Sequence, residues 1–228
     1  MNHPCDVALP ELLAPWLTRR SIGPKHLEAP GPDARELECL LRAAFTGPDH
    51  ARLRPCRLEP LCPAQRERLA TAFQNYRREA DGDLSPEDAS VERQRALRGP
   101  CLLAVTARIQ QDHGLVPVHE QWIAVGAVIG NLLAAANALG YVGKMLSGDR
   151  VRATSVRGLL CDAGEMLVGF VYLGSARADA WERAATTAQT STDRRQARVG
   201  SPSQFSCAPP DVAPGQRQRG KVHSTCCR

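Results

Sequence analysis

The triplet Arg19-Arg20-Ser21 sets two guanidiniums and a hydroxyl side by side. Further on, Pro48-Asp49-His50-Ala51-Arg52-Leu53-Arg54-Pro55 gathers an imidazole with two more arginines, and Arg57 follows closely. Planar arginine forks match phosphate oxygens two bonds at a time, and a serine hydroxyl adds a neutral donor. Two such clusters at helix ends could hold a phosphorylated, planar, anionic cofactor. Each also has a plainer reading. The triplet alone reads as a basic helix end complementing the macrodipole, His50 as a hydrogen-bonded surface group, and the arginines as solvated charges. His113 and His119, next to Glu120, come nearest to a metal-ligand grouping, and no metal is expected there. The chain carries no Walker loop, dinucleotide glycine fingerprint or serine–histidine–acid arrangement.

The elements that must position these residues follow from periodicity. Pro10 begins a short helix with Leu12, Leu13, Trp16 and Leu17 on one face, and it runs into the triplet. Asp33, with Glu36 three residues on, forms a capping-box start for an amphipathic helix through Phe45, which stops at Gly47-Pro48 and delivers Asp49 and His50 into a loop. Arg57–Leu61 reads as a short strand that Pro60 confines to an edge or spoils. Pro63 opens a further helix, and Ser85 caps a third that ends at Gly99-Pro100. Residues 101–107 and 166–174 are apolar enough for buried strands. Between them lies a long helix from about His119 to Leu139, closed by Gly140. A weaker helix falls near 150–161. Helices interleaved with a few strands predict an α+β domain around a small sheet.

Composition narrows the function. Of 29 basic and 24 acidic residues, 20 of each lie at or before Ala176, so the whole +5 excess falls beyond it. An electroneutral folded part carries no nucleic-acid footprint. The nine cysteines are scattered without zinc spacing, and the N-terminal residues lack a signal-peptide pattern, so a cytoplasmic setting is expected. Trp122–Leu139 runs 18 residues without a formal charge. Its glycines and asparagines favour a buried helix of a soluble domain over a membrane span.

Read in order, these segments carry a resemblance. Leu17-Thr18-Arg19-Arg20-Ser21-Ile22, the Pro48–Pro55 run, Val116-Pro117 with Glu120-Gln121, Gly126 with Asn131, Gly140-Tyr141-Val142-Gly143-Lys144-Met145-Leu146-Ser147-Gly148 and Val168–Gly174 follow one another. The pattern, over about residues 9 to 176, resembles the small Arg-Arg-Ser subgroup of the FMN-dependent nitroreductase family. The resemblance implies an α+β nitroreductase-like fold, with a small central mixed sheet flanked by helices and a long buried central helix. It also implies a homodimer with FMN at the interface. In that arrangement Arg19, Arg20 and Ser21 would hold the FMN phosphate and the edge of the ring. Thr46 and His50 would reach the flavin from the partner subunit, Met145, Leu146 and Ser147 would line its opposite side, and Ala135 would contact the nicotinamide nucleotide. The implied activity is ping-pong hydride transfer from NAD(P)H through FMN to a nitroaromatic, quinone or similar electron-poor small-molecule acceptor. The flavin performs the redox step, so no protein nucleophile is needed. Membrane and nucleic acid are not among the expected partners.

The chain departs from the family pattern at three places. Cys56 stands where an aromatic is usual, Met145 and Leu146 replace a tryptophan and a polar residue, and Pro60 sits in the strand. These swaps raise the alternative of a degenerate, non-catalytic flavin-binding protein of the same fold. Beyond Ala176 apolar periodicity ends. Residues 177–228 are therefore expected to be a disordered or frameshifted tail appended to an FMN-binding domain of residues 1–176.

Overall fold

A computed structural model describes residues 13–180. Its centre is a five-stranded sheet in the order β1-β5-β3-β2, with β4 also paired to β5. The strands are β1 (Leu27–Glu28), β2 (Cys56–Pro60), β3 (Cys101–Ala107), β4 (Val142–Leu146) and β5 (Met166–Ala176). All four ladders are antiparallel. Among the described residues the one parallel pairing is an isolated bridge between Ser21 and Gly143. The α+β class and the two apolar strands are as expected. Pro60 is accommodated because β2 pairs only with β3 and so lies at the sheet edge, where a missing N–H costs no ladder bond. The strands β1 and β4 have no period-2 signature of their own and are held by β5, which at 11 residues is long enough to pair with three neighbours.

Helices cover both faces of the sheet. Leu102, Ala104, Phe170 and Tyr172 form one core with α3 (Pro63–Asp81), α4 (Pro86–Leu97) and α6 (Thr154–Leu160). Leu103, Val105, Val171 and Leu173 form the other with α2 (Ala34–Ala44) and α5 (Val118–Ala138). This division is the pleat alternation of β3 and β5. It is reset at a bulge where Val105 and Thr106 face Gly169 and Leu167 and leave Val168 as the extra residue.

The start of α2, the start of α4 and the end of α5 are those the sequence predicts, whereas the helix expected near 150–161 is a 3-10 turn over Asp149–Arg152 followed by α6, and the expected start at Pro10 lies outside the described residues. Asp33 Oδ1 accepts from the Glu36 N–H (2.8 Å) while Glu36 Oε2 accepts from the Asp33 N–H (2.9 Å), a complete capping box. Ser85 Oγ accepts from the Asp88 N–H. At the end of α5, Gly140 has φ +85°, and the Tyr141 N–H returns to the Ala136 carbonyl, closing a Schellman turn. The short α1 (Ala14–Leu17) leaves its apolar face uncovered: Leu13, Trp16 and Leu17 are all exposed.

The long central helix buries one face within a single chain. Gln121, Ala124, Val125, Val128 and Leu132 are in the core, whereas Trp122, Ile123, Gly126 and Gly130 form an exposed stripe at helical spacing. By length and composition α5 could cross a membrane; in this fold it packs on the sheet. Order extends past the expected boundary at Ala176. The Arg177 N–H donates to the His26 carbonyl (3.0 Å), and Ala180 is 3% exposed in the first core. The rest of the predicted tail lies outside the described residues.

Candidate functional site

The triplet is positioned by backbone. Helix α1 ends with the Thr18 hydroxyl on the Ala14 carbonyl (2.7 Å), and Asn137 Nδ2 on α5 donates to the Pro15 carbonyl (2.8 Å). The chain then runs beside β4. Ser21 bridges to Gly143, and the Ile22 N–H donates to the Gly143 carbonyl at 3.3 Å. Gly143 has no room for a side chain, because a Cβ would meet the Tyr172 carbonyl and sit 2.6 Å from Leu173 Cδ2. The Ser21–Gly143 bridge and the Ile22 hydrogen bond join Arg19-Arg20-Ser21 to the strand that leads into Leu146 and Ser147. Arg19 Nη1 donates to Ser21 Oγ (3.3 Å), and Arg20 Nη1 to the carbonyls of Leu17 and Arg19.

Next to that junction is a cavity of about 400 Å³ between the 3-10 turn Pro24–His26, the end of α4 and the Ser147–Val151 segment. Phe73, Phe170 and Tyr172 form an aromatic wall, and Lys25, Arg95, Arg98 and Arg150 supply positive charge, with the His26 imidazole beside them. The lining includes Leu146 and Ser147 and no carboxylate. The Tyr172 hydroxyl donates to the Arg95 carbonyl (2.9 Å), and burial pushes its pKa up to about 12, so it stays a neutral donor. A flat aromatic wall with a cationic rim, in a volume typical of cofactor sites, fits a planar ligand bearing a phosphate.

Arg19, Arg20 and Ser21 do not themselves line this cavity, and the remaining expected site residues fall elsewhere. Met145 does not line the cavity. It projects to the opposite face of the sheet, toward the α2 and α5 core, with its methyl over Gly169. Adjacent strand residues point to opposite faces, so Met145 and Leu146 cannot both face one ligand from the sheet. Thr46 and Ala135 lie together in a separate groove with Trp16 and Asn131, where Asn131 Nδ2 is 3.4 Å from Thr46 Oγ1. His50 is brought to the start of α5, and its Nδ1 is 2.5 Å from Glu120 Oε2. The loop around it is strained. Ala51, Arg52 and Arg54 all have positive φ, which non-glycine residues rarely adopt. Asp49 Oδ2 braces it by accepting from the Arg54 N–H.

Arg57 leaves the basic cluster altogether. Its guanidinium forks onto Glu165 (3.1 and 2.6 Å) and the Leu160 carbonyl, tying β2 to the start of β5. His113 Nδ1 accepts from the Leu115 and Val116 N–H groups, a loop brace. Burial pushes the Cys56 thiol up to about 12, so it is a core hydrophobe without nucleophilic character. The cavity cations were missed from sequence. Arg95 in the last turn of α4 and Arg98 at its C-cap look like ordinary cations complementing the helix dipole, and the one local signal is that Arg150 follows the Ser147-Gly148 run closely.

An α+β sheet domain with a cationic, aromatic-walled cavity beside β4 has the charge and shape to suit a planar phosphorylated ligand. The chain belongs to the nitroreductase family, whose model matches residues 17–175. It is 29% identical over 162 residues, 70% of this chain and 85% of the relative, to the Escherichia coli (strain K12) protein named "Putative NAD(P)H nitroreductase YdjA". A nitroreductase-like family protein from Bacillus cereus superposes with a TM-score of 0.61 at 18% identity, covering 75% of this chain and 88% of that one. The FMN-dependent nitroreductase NfnB of Mycobacterium smegmatis, solved with NADPH, has a TM-score of 0.56 at 15% identity, covering 75% and 89%.

Proposed function

We propose that this chain is an FMN-dependent oxidoreductase that takes reducing equivalents from NAD(P)H and passes them to electron-poor small molecules such as nitroaromatics or quinones. The observation that supports the proposal is the cavity lined by Ser147, an aromatic wall and the cations of Lys25, Arg95, Arg98 and Arg150, with the triplet outside the lining but tied to the adjoining strand β4 by the Ser21–Gly143 bridge. Arg19, Arg20 and Ser21 hold the phosphate. Leu146, Ser147 and the cavity arginines meet the ring system, and Met145 supports the strand from behind. When bound, FMN supplies the hydride chemistry, in ping-pong turnover with the nicotinamide donor leaving before the acceptor enters. The chain's own part is to bind and orient the ring, and to present cations toward a group that becomes more negative on reduction.

The functional unit is a homodimer in this reading. Two observations support it: the apolar stripe of Trp122, Ile123, Gly126 and Gly130 on α5, and the exposed Trp16 and Leu17 of α1. Thr46, His50 and Ala135 lie apart from the cavity of their own chain, which accords with their serving the partner's cofactor and nicotinamide site. Purified full-length protein should be yellow with a flavin spectrum that bleaches anaerobically on adding NAD(P)H. A colourless protein that takes up no FMN overturns the reading. Bound flavin that NADH and NADPH both leave unreduced indicates a binding protein of the same fold.

A further inference from the structure

Behind the cavity wall lies a carboxylate that the function above does not use. Glu92 on α4 is 4% exposed and is met by three arginines. Arg150 Nε donates to Glu92 Oε2 at 2.9 Å and its Nη2 to Oε1 at 2.7 Å. Arg95 Nε donates to Oε1 at 3.2 Å, and Arg77 Nε stands 3.9 Å away. The Arg150 guanidinium also lies over two aromatic rings, 5.9 Å from the Phe73 centroid and 5.7 Å from that of Tyr76. Arg95 and Arg150 line the cavity, whereas Glu92 does not.

Burying such a cluster contributes little net stability, because desolvation offsets the attraction. Its geometric consequence is definite. A guanidinium has five N–H donors; Arg150 spends two on Glu92, which fixes the plane of the fork while it borders the cavity. The electrostatic consequence is also definite. One negative charge behind two cations lowers the positive potential that they present to a ligand.

We infer that Glu92 is a positioning residue of the flavin site: it orients Arg150 and Arg95 at the cavity wall and, by offsetting their charge, holds down the reduction potential of the bound cofactor. Reduced flavin carries one more negative charge than oxidised flavin near neutral pH. Any change in local positive potential therefore alters its binding relative to the oxidised form. This inference rests on the FMN reading above.

The test uses full-length protein loaded with FMN, with midpoint potential measured by dye-coupled anaerobic reduction and oxidised FMN affinity by fluorescence quenching. Glu92→Gln should favour reduced over oxidised FMN by about tenfold, which for a two-electron couple is about 30 mV upward. Arg150→Gln should move the potential downward. Glu165→Gln, which breaks a half-buried ion pair away from the cavity, should lower Tm and leave the potential in place. A Glu92→Gln potential that stays at the wild-type value, or moves in the same direction as that of Arg150→Gln, overturns the inference while the FMN reading stands. Wild-type protein that binds no FMN overturns both. Should Glu92→Gln not fold, Arg95→Gln and Arg150→Gln carry the test, since either one failing to lower the potential overturns the inference.

Discussion

Ser21 and Gly143, 122 positions apart, form the one parallel bridge among the described residues, beside an otherwise antiparallel sheet, and the adjoining Ile22 N–H donates to the Gly143 carbonyl. The β4 side of this junction is packed tightly on β5, because the Tyr172 carbonyl and Leu173 Cδ2 occupy the space a Cβ at residue 143 would need. Gly143→Ala should therefore act on fold and site together. Overpacking against β5 costs about 2 kcal/mol, read as a lower Tm, and FMN affinity should fall as the triplet separates from β4. Wild-type stability in this variant would show that the strands part without cost.

The triplet itself should behave in the opposite way. Arg19 and Arg20 hydrogen-bond only within their own segment, so Arg19→Gln and Arg20→Gln should leave the apoprotein Tm nearly unchanged. Each removes a charge-assisted bond to phosphate and should weaken FMN binding about tenfold or more. Riboflavin, which lacks the phosphate, should bind wild type and variants alike.

Gly126 and Gly130 have nothing within 4 Å of where a Cβ would lie, in contrast to Gly143. Within the chain, Gly126→Leu therefore meets no clash and should raise helix propensity by up to about 1 kcal/mol. In a homodimer packed on this face of α5 the same leucine intrudes. The expected result, by light scattering after gel filtration, is a shift toward monomer with loss of bound FMN. An unchanged dimer places the interface elsewhere.

Glu165 sets a pH dependence. The Arg57 fork, with the Asp162 N–H assisting, holds its carboxyl down to about 2, whereas an unfolded glutamate titrates near 4.3. A depressed folded-state value stabilises the fold above the unfolded pKa and ceases to do so as pH falls through the folded one. The stability gap between wild type and Glu165→Gln should be constant, roughly 2–3 kcal/mol, at pH 6 and above. It should shrink between about pH 4.5 and 2 in urea melts. A gap independent of pH would mean that the pair contributes by shape alone.

Much of this protein is legible in its residues taken in order. The capping box at Asp33 and Glu36, the cap at Ser85, the Gly140 stop, and the β3 and β5 runs are local signals. Each follows from backbone valence, side-chain reach or apolar periodicity within a few positions. The family pattern is legible for the same reason, since it is an order of short motifs. What depends on distant partners was decided only in three dimensions. β4 exists because β5 is there to pair with it, and Met145 and Leu146 part company because the pleat sends neighbours to opposite faces. Arg57 is claimed by Glu165, 108 positions away. The cations of the cavity come from the Pro24–His26 turn, the end of α4 and the turn after β4, and the carboxylate behind them lies three positions before Arg95, where in sequence it reads as an ordinary surface pair. Residue types and spacing determined which chemistry the chain could hold, because local physics is written locally. Which of those groups meet was settled by packing, because burial selects partners without regard to their distance along the chain.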